Sequence, residues 1–241
     1  MDGPVHRRVR SARRTAVPGD VTLIGQRLDR LNQKLSWDHN RHYHRYLLRR
    51  LPRQIGSALD VGCGTGDFAR RLARRAERVD ACDVSAETIG TAATQLPAST
   101  VRYVRADIME PTLELGRYDV ITCLASIHHM AFAPAVDKLR ARLVPGGVLL
   151  ILGCYREQSS SDRLLSLLAV PANILMGAGH RAMRPANHRS TLGHRPPVAD
   201  PAMTLADIQA EVGRLLPGAR IRRHLLWRYS LRFQQPASGQ G

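Results

Sequence analysis

The sequence predicts an α/β fold, a doubly wound and mostly parallel sheet with helices on both faces. Short, continuously apolar segments alternate with helical segments of roughly ten residues, and a glycine-rich turn joins the first apolar segment to a helix. This alternation is typical of a parallel sheet that is buried on both faces. Two more strands at close range end the chain, and their short connection predicts an antiparallel pair.

The elements of this series can be assigned in chain order. The predicted strands are Ser57–Val61, Arg78–Cys82, Val101–Ala106, Tyr118–Leu124 and Val148–Gly153. The predicted helices are Asp67–Ala76, Ala86–Leu96 and Ala133–Leu143. Near the end, Thr204 and Asp207 are spaced as a capping box for a helix over Leu205–Leu215. The closing strands are expected over Ala219–Leu226 and Arg228–Phe233.

Composition and pattern divide the chain into six predicted segments. They are a disordered basic tail (1–20), an N-terminal helical lid (21–52), a core that holds the alternating series (53–156), a substrate-covering insertion (157–203), a helix and strand pair that complete the sheet (204–234) and a second tail (235–241). The insertion begins with the apolar stretch Leu164–Met176 and continues as a long segment rich in Gly, Pro, His and Arg. Loops of that length are more often functional than merely connecting.

The chain of 241 residues is strongly basic, with 36 Lys and Arg against 20 Asp and Glu and a formal charge of +16. All but two of the basic residues are arginines, the exceptions being Lys34 and Lys138. An arginine bias of this kind also arises from genome composition. The charge therefore permits a nucleic-acid partner without requiring one.

The four cysteines, Cys63, Cys82, Cys123 and Cys154, form no CxxC pair and are expected to be reduced, buried thiols. The N-terminus lacks the apolar stretch of a secretory signal. The sequence contains no run of roughly 18 apolar residues, so no membrane span is predicted. We expect a cytoplasmic protein without a membrane span, either a monomer or a homodimer.

The clearest chemical signal is the glycine-rich turn Asp60-Val61-Gly62-Cys63-Gly64-Thr65-Gly66-Asp67. Glycines at alternate positions let the backbone turn sharply and let a ligand lie against bare peptide groups. The spacing is G-x-G-x-G, whereas dinucleotide-binding proteins have G-x-G-x-x-G. The two flanking carboxylates would repel a pyrophosphate, so the turn is better suited to a cationic ligand.

Acidic residues also lie at the ends of the following strands. Asp83 ends the second strand, where an acid is placed to bind the hydroxyls of a ribose. Asp107 follows the third strand and is placed to accept a hydrogen bond from an adenine amino group. Asp119 opens the fourth. Each of these residues alone is most simply a solvated cap, but their ordered series indicates a nucleoside site.

Together, these motifs resemble those of the class I S-adenosylmethionine-dependent methyltransferases. The matching segments are LDVGCGTG (59–66), the acid Asp83, the pair Ala106-Asp107, the strand YDVI (118–121) and the turn and strand LVPGGVLLI (143–151). The resemblance implies a seven-stranded sheet with the last strand antiparallel, and S-adenosylmethionine as the cofactor.

The resemblance also implies roles for individual residues. In the glycine loop, Gly62, Gly64 and Gly66, with Cys63 and Thr65 between them, would lie under the methionine part, and Asp60 beneath it. Asp83, with Val84 beside it, would bind the ribose. Asp107 and Ile108 would bind the adenine. The backbone of Cys123, Leu124 and Ala125 would line the sulfonium.

The segment Trp37-Asp38-His39-Asn40-Arg41-His42-Tyr43-His44 resembles a leader found in some small-molecule members of this superfamily, often actinobacterial. By that resemblance Trp37, His39, Tyr43 and His44 are candidates for a lid over the cofactor. A metal site is the alternative interpretation of the histidines in this segment. No carboxylate or cysteine joins them at a usual ligand spacing, so we predict no metal site.

Methyl transfer requires alignment of the acceptor with the methyl group and, for an oxygen or nitrogen acceptor, removal of a proton. His128 and His129 follow the fourth strand, where ligands bind in open α/β sheets, and they are the candidate catalytic bases. A helix-capping or pocket-lining role is the structural alternative. The apolar insertion predicts a small acceptor that is apolar or aromatic, although it would also fit a surface that packs on the sheet or on a second copy.

Three other functions fit parts of the sequence. A nucleic-acid methyltransferase is supported by the charge, but no amide-proline motif follows the fourth strand and no RNA-binding appendage is recognisable. A non-catalytic protein that binds S-adenosylmethionine would keep the same acids. A nicotinamide oxidoreductase is disfavoured by the glycine spacing. The interpretation preferred from the sequence is a methyltransferase acting on the oxygen or nitrogen of a small organic acceptor.

Overall fold

The structure is a computed structural model, and it describes residues 39–95, 100–110, 115–156, 201–225 and 227–237. All of these residues belong to the compact unit Trp37–Gly241. Within them, seven strands form one sheet. The strands are β1 (Ile55–Val61), β2 (Ala76–Asp83), β3 (Val101–Arg105), β4 (Tyr118–Leu124), β5 (Leu143–Cys154), β6 (Arg220–His224) and β7 (Arg228–Gln234). The helices are α1 (His39–Leu48), α2 (Asp67–Leu72), α3 (Ala86–Thr94), α4 (Phe132–Ala141) and α5 (Leu205–Leu215), and a 3₁₀ turn covers Ile127–His129.

The strand order is β3-β2-β1-β4-β5-β7-β6. The strands β1 to β5 pair in parallel, whereas β7 runs antiparallel to both β5 and β6. The predicted mostly parallel sheet with an antiparallel last strand is confirmed. The order reverses between β1 and β4, and in open α/β sheets ligands bind outside the carboxyl ends of the strands at such a switch point.

Apolar side chains bury both faces of the sheet. Along β5, Leu149 and Ile151 belong to the cluster that includes Leu139 of α4 and Ile208 of α5. The intervening Leu150 and Leu152 belong to the opposite cluster, with Leu47 of α1 and Leu72 of α2. Burial of one such side chain stabilises the fold by about 1.5–3 kcal/mol. The alternation along one strand explains why β5 is apolar throughout rather than at every second position.

Several predicted boundaries differ from the structure by one or two residues, and two are wrong by four or five. The helix α2, predicted over Asp67–Ala76, ends at Leu72. The Arg75 N–H donates a hydrogen bond to the Leu72 carbonyl at 2.8 Å, and β2 already begins at Ala76. The strand β5 begins at Leu143, not Val148. Its Pro-Gly-Gly turn is an irregularity inside the strand, where a side chain at Gly147 would approach the Val144 carbonyl to 2.9 Å.

The end of the described core agrees more closely with its prediction. Thr204 and Asp207 form a full capping box: Thr204 Oγ1 accepts from Asp207 N at 3.2 Å, and Asp207 Oδ2 accepts from Thr204 N at 2.9 Å. The helix they start is α5, at the predicted residues. The predicted basic tail, most of the predicted lid and most of the predicted insertion lie outside the described residues, which leave out 1–38 and 157–200.

Candidate active site

The glycine loop lies at the carboxyl end of β1, and β2 fixes its backbone. The N–H groups of Gly62 and Cys63 both donate to the Cys82 carbonyl, at 2.8 and 3.0 Å. Gly62 has a φ of 68°, and a Cβ there would overlap the Ser126 side chain. Gly64 has a φ of 53°, but among the described residues no atom beyond its two chain neighbours lies within 4 Å of the place where its Cβ would be. Gly62 is therefore required by the fold itself, whereas Gly64 borders the open space in which a ligand would lie.

Asp60 lies under this loop and is almost fully buried, with 2% of its surface exposed. Its Oδ1 accepts a hydrogen bond from Thr122 Oγ1 at 2.6 Å. Its Oδ2 has no hydrogen-bond partner among the described residues. Burial raises the pKa of Asp60 to about 7, and the nearby charge of Asp83 acts in the same direction, while the Thr122 bond opposes the rise. A buried carboxylate oxygen without a partner leaves a place for a cationic or hydrogen-bond-donating ligand group.

The Asp83 carboxylate joins the end of β2 to the glycine loop. Its Oδ2 accepts from Gly64 N–H and its Oδ1 accepts from Ser85 N–H, both at 2.9 Å. These bonds fix the carboxylate at the sheet edge while each oxygen keeps a lone pair for a further donor. Val84 follows it with 63% of its surface exposed, next to the same loop.

The third acid is less enclosed. Asp107 is exposed, and its Oδ1 accepts from Met109 N–H at 2.8 Å in a turn after β3. The neighbouring Ile108 side chain is buried in the sheet core, so it faces away from solvent and only its backbone remains at the edge. Thr65 is exposed on the loop, and its carbonyl accepts from Arg70 Nη1 at 2.9 Å.

The loop after β4 closes the site from the other side. Ser126 Oγ donates to the Val61 carbonyl at 2.8 Å and lies 3.1 Å from Cys123 Sγ. Ala125 has a φ of 54°, an uncommon conformation for a residue with a side chain. The segment Cys123–Ala125 is thereby held against the end of β1. No sequence pattern predicts a role for Ser126, because the close approach of its side chain to Gly62 is a tertiary contact.

The cysteines at this edge are thiols. Burial, with a smaller contribution from the charge of Asp60, raises the pKa of Cys82 and of Cys123 to about 12. Burial also raises the pKa of Cys63, whose Sγ donates to the Gly64 carbonyl at 3.6 Å. No cysteine in the structure is in a disulfide. These residues therefore shape the site as neutral groups and are poor nucleophiles.

His128 and His129 form the 3₁₀ turn after β4, with ring centroids 4.1 Å apart. His128 is half-buried, and burial, together with the charges of His129 and Arg228, lowers its pKa to about 4. Its Nδ1 is buried without a hydrogen-bond partner among the described residues. His129 is exposed. His128 is consequently a neutral imidazole near pH 7, with one ring nitrogen that has no described hydrogen-bond partner.

The residues predicted for the lid fall into different places. Trp37 lies outside the described residues, and His39 is the first residue of α1. His44 is buried beside the glycine-loop helix, with Nδ1 3.6 Å from Asp67 Oδ2 and its ring 4.9 Å from that of Phe68. Tyr43 faces the C-terminal hairpin, where its hydroxyl donates to the Leu225 carbonyl at 3.0 Å. The structure thus brings His44 to the loop and directs Tyr43 to the hairpin.

Two kinds of feature, a metal-ligand cluster and a membrane-spanning helix, are absent from the described residues. Across the described ranges, no three His, Cys, Asp or Glu side chains come together as a metal site would require. None of the described helices has the length and apolar character needed to cross a bilayer.

Residues 58–147 match the model of a methyltransferase domain family. The chain is 32% identical over 201 residues to an uncharacterized methyltransferase of Mycobacterium tuberculosis H37Rv, a match covering 83% of this chain and 98% of the relative. It is 34% identical over 107 residues to the ubiquinone biosynthesis O-methyltransferase of Sodalis glossinidius, covering 42% of this chain and 43% of that one. The solved structure of N-methyltransferase NodS from Bradyrhizobium japonicum WM9 shares the fold, with a TM-score of 0.53 and 18% identity over 81% of this chain and 96% of NodS.

The chain therefore belongs to the class I S-adenosylmethionine-dependent methyltransferases, and the mycobacterial relative agrees with the expected actinobacterial type. Its cofactor is S-adenosylmethionine. The described residues fit that group, because the Asp83 carboxylate is fixed beside the open position at Gly64 and the buried Asp60, which begins the same turn, has one carboxylate oxygen without a described partner.

Proposed function

We propose that this methyltransferase acts on the oxygen, or the nitrogen, of a small apolar or aromatic acceptor. The observation that carries the proposal is the half-buried neutral imidazole of His128 at the end of β4, with a ring nitrogen free of any described partner. The name of the Sodalis relative, an O-methyltransferase of ubiquinone biosynthesis, supports a small-molecule acceptor. The stretch at 164–176, which the sequence predicts to cover the substrate and which lies outside the described residues, is apolar as such an acceptor would require.

On this proposal the acidic side of the edge holds the cofactor. The carboxylate of Asp83 accepts hydrogen bonds from the ribose, and Asp107 with the backbone of Ile108 binds the adenine. Asp60, the glycine loop and the segment Cys123–Ala125 surround the methionine part. When bound, S-adenosylmethionine supplies a methyl group that is already activated by its sulfonium charge.

His128 holds the acceptor and takes its proton. A base with a pKa of about 4 accepts a proton readily only from a fairly acidic group, since the efficiency of proton transfer follows the pKa difference. A phenolic hydroxyl is a better match than an aliphatic alcohol. This difference favours O-methylation of a phenol. His129, exposed beside it, is placed to contact the acceptor at the mouth of the site.

A labelling experiment tests the proposal. The full-length protein is incubated with methyl-labelled S-adenosylmethionine and either a phenol panel, a panel of primary amines or total RNA. We expect label in a phenolic product, identified by mass spectrometry as an aryl methyl ether. Label that enters RNA, or only hydrolysis of the cofactor, would contradict the small-molecule proposal.

A further inference from the structure

Arg228 is the first residue of β7 and lies at the same edge of the sheet as the candidate active site. In the antiparallel register it pairs with Cys154, the last residue of β5. Its Nη1 donates to Cys154 Sγ at 2.8 Å. The guanidinium therefore extends from β7 over the end of β5, on the side of β4 and of the 3₁₀ turn with His128 that follows β4. One strand spacing, about 4.8 Å, separates β5 from β4, a gap that one aromatic ring can bridge.

The hydrogen bonding of this guanidinium is incomplete. A thiol is a weak acceptor, and the buried Nε of Arg228 has no hydrogen-bond partner among the described residues. Three described arginines have an acid as partner: Arg71 with Asp67 at 3.8 Å, Arg102 with Asp80 at 2.7 Å and Arg214 with Glu211 at 2.8 Å. No described carboxylate forms an ion pair with Arg228. A half-buried cation without an anion is costly, so an anionic ligand would be favoured there.

The charge of Arg228 influences residues of the acceptor half of the site, by which we mean the sheet edge over β4, β5 and β7 that includes His128. The edge over β1, β2 and β3 is the cofactor half. The charge of Arg228 contributes to the lowered pKa of His128 on one side. On the other side it opposes the rise that burial causes in the pKa of Tyr43 on α1. The described acids of the cofactor half, Asp60, Asp83 and Asp107, lie at the carboxyl ends of β1, β2 and β3. The nearest of these strands, β1, is three positions from β7 in the sheet order.

We propose that Arg228 binds the carboxylate of the acceptor, so that the substrate is a small organic acid whose aromatic ring lies between this guanidinium and His128. The planar fork of an arginine matches a carboxylate with two parallel hydrogen bonds, and Nε with one terminal nitrogen provides that fork. The inference rests on the proposed function, because it names the substrate class of the same site.

Binding to the complex with S-adenosylhomocysteine tests the proposal without requiring turnover. The full-length protein is saturated with S-adenosylhomocysteine and titrated in a calorimeter with 4-hydroxybenzoate and 3,4-dihydroxybenzoate, and then with their methyl esters. We expect the acids to bind at least about tenfold more tightly than the esters. Arg228→Gln should abolish this preference, and Arg228→Lys should keep part of it. Arg222→Gln, an equal loss of charge on the neighbouring strand β6 at an exposed position, should leave it unchanged.

Three results are decisive against the inference. Equal affinity for acids and esters, including no binding of either, overturns it. So does a preference that survives Arg228→Gln in a protein whose thermal unfolding is unchanged. If Arg228→Gln instead weakens the affinity for S-adenosylhomocysteine about tenfold, the guanidinium binds the carboxylate of the cofactor and not that of the acceptor. Failure of the wild-type protein to bind S-adenosylhomocysteine at all would count against the site as a whole, which separates the two proposals.

Discussion

The carboxyl edge of the sheet has two halves with opposite electrostatic character. The half over β1, β2 and β3 holds Asp60, Asp83 and Asp107, with a glycine loop that leaves backbone exposed. The half over β4, β5 and β7 holds the neutral His128 and the cationic Arg228. Carboxylates attract a sulfonium and an ammonium group, whereas a guanidinium attracts a carboxylate. The difference teaches that the charges at one sheet edge can direct two ligands to separate places, independently of how well their shapes fit.

The acceptor half provides the largest expected effect. We expect His128→Ala to lower kcat about 100-fold, at the low end of what a general base contributes, because its pKa makes it a weak base. The affinity for S-adenosylhomocysteine should change less than about twofold, since the imidazole lies outside the acidic half. Steady-state kinetics with a phenol found in the labelling screen measures the first quantity and calorimetry the second. The adjacent His129→Ala is the matched control, and an equal loss of kcat in both variants would break the distinction between them.

The cofactor half provides the next effect. Asp83→Ala removes the acceptor for the ribose and the partner of the Gly64 N–H. We expect the affinity for S-adenosylhomocysteine to fall about 30-fold, as expected for a charge-assisted hydrogen bond of about 2 kcal/mol. The affinity for the acceptor acid should be unaffected when measured at saturating S-adenosylhomocysteine. Glu110→Gln, an exposed acid, is the control for net charge. Unchanged affinity in Asp83→Ala would remove the ribose from this end of β2.

Asp60 gives a prediction in which stability and binding move in opposite directions. Its folded-state pKa is raised to about 7, so the stability associated with the protonated acid is present below pH 4 and is lost as the pH rises through 7. Asp60→Asn keeps an acceptor for Thr122 and removes that loss. We expect the Tm of the unliganded variant to exceed that of the wild type by a few degrees at pH 8 and to approach it at pH 5.

The same substitution should weaken cofactor binding. A cation beside Asp60 favours its ionised form, so the wild type should release a proton on binding S-adenosylmethionine near pH 7 and bind more tightly as the pH rises toward 8. Asp60→Asn should bind about tenfold more weakly at pH 8 and lack this released proton. Calorimetry in two buffers of different ionisation enthalpy measures it. A variant that is less stable at pH 8 and binds normally would contradict the role of Asp60 on both counts.

The smallest effect concerns the N-terminal cap of α5. Thr204→Ala removes the side-chain half of the capping box of α5 and should reduce the free energy of unfolding by about 1 kcal/mol. Chemical denaturation measures this change. The affinities for S-adenosylhomocysteine and for the acceptor acids should be unaltered. A loss of either affinity would show that α5 supports the site.

Much of the fold could be predicted from the sequence because its signals are local. The alternation of apolar strands and helices determines the class, and the spacing of Thr204 and Asp207 predicts the start of α5. The boundaries that were wrong depend on tertiary pairing. The strand β5 extends back to Leu143 because β4 pairs with it there, across the irregularity at its glycines. No property of the Pro-Gly-Gly segment alone distinguishes a turn before a strand from an irregularity within it.

The site divides in the same way. Its acids could be named from the sequence, because they follow successive strands and the carboxyl ends of parallel strands share one edge. Their partners could not. Thr122 Oγ1 on β4 donates a hydrogen bond to Asp60 on the neighbouring strand β1. Ser126 Oγ donates one to the carbonyl of Val61, which is 65 positions away in the chain. Arg228 was one of 34 arginines in the sequence, and only the pairing of β7 with β5 separates it from the others.

The crystal structure of the complex with S-adenosylhomocysteine tests the division of the edge most directly, because this one ligand carries both a ribose and a carboxylate. We predict that the ribose hydroxyls lie within about 3 Å of the Asp83 carboxylate and that Arg228 makes no contact with the ligand. A structure in which the homocysteine carboxylate binds Arg228, or in which the ribose lies away from Asp83, would contradict the account.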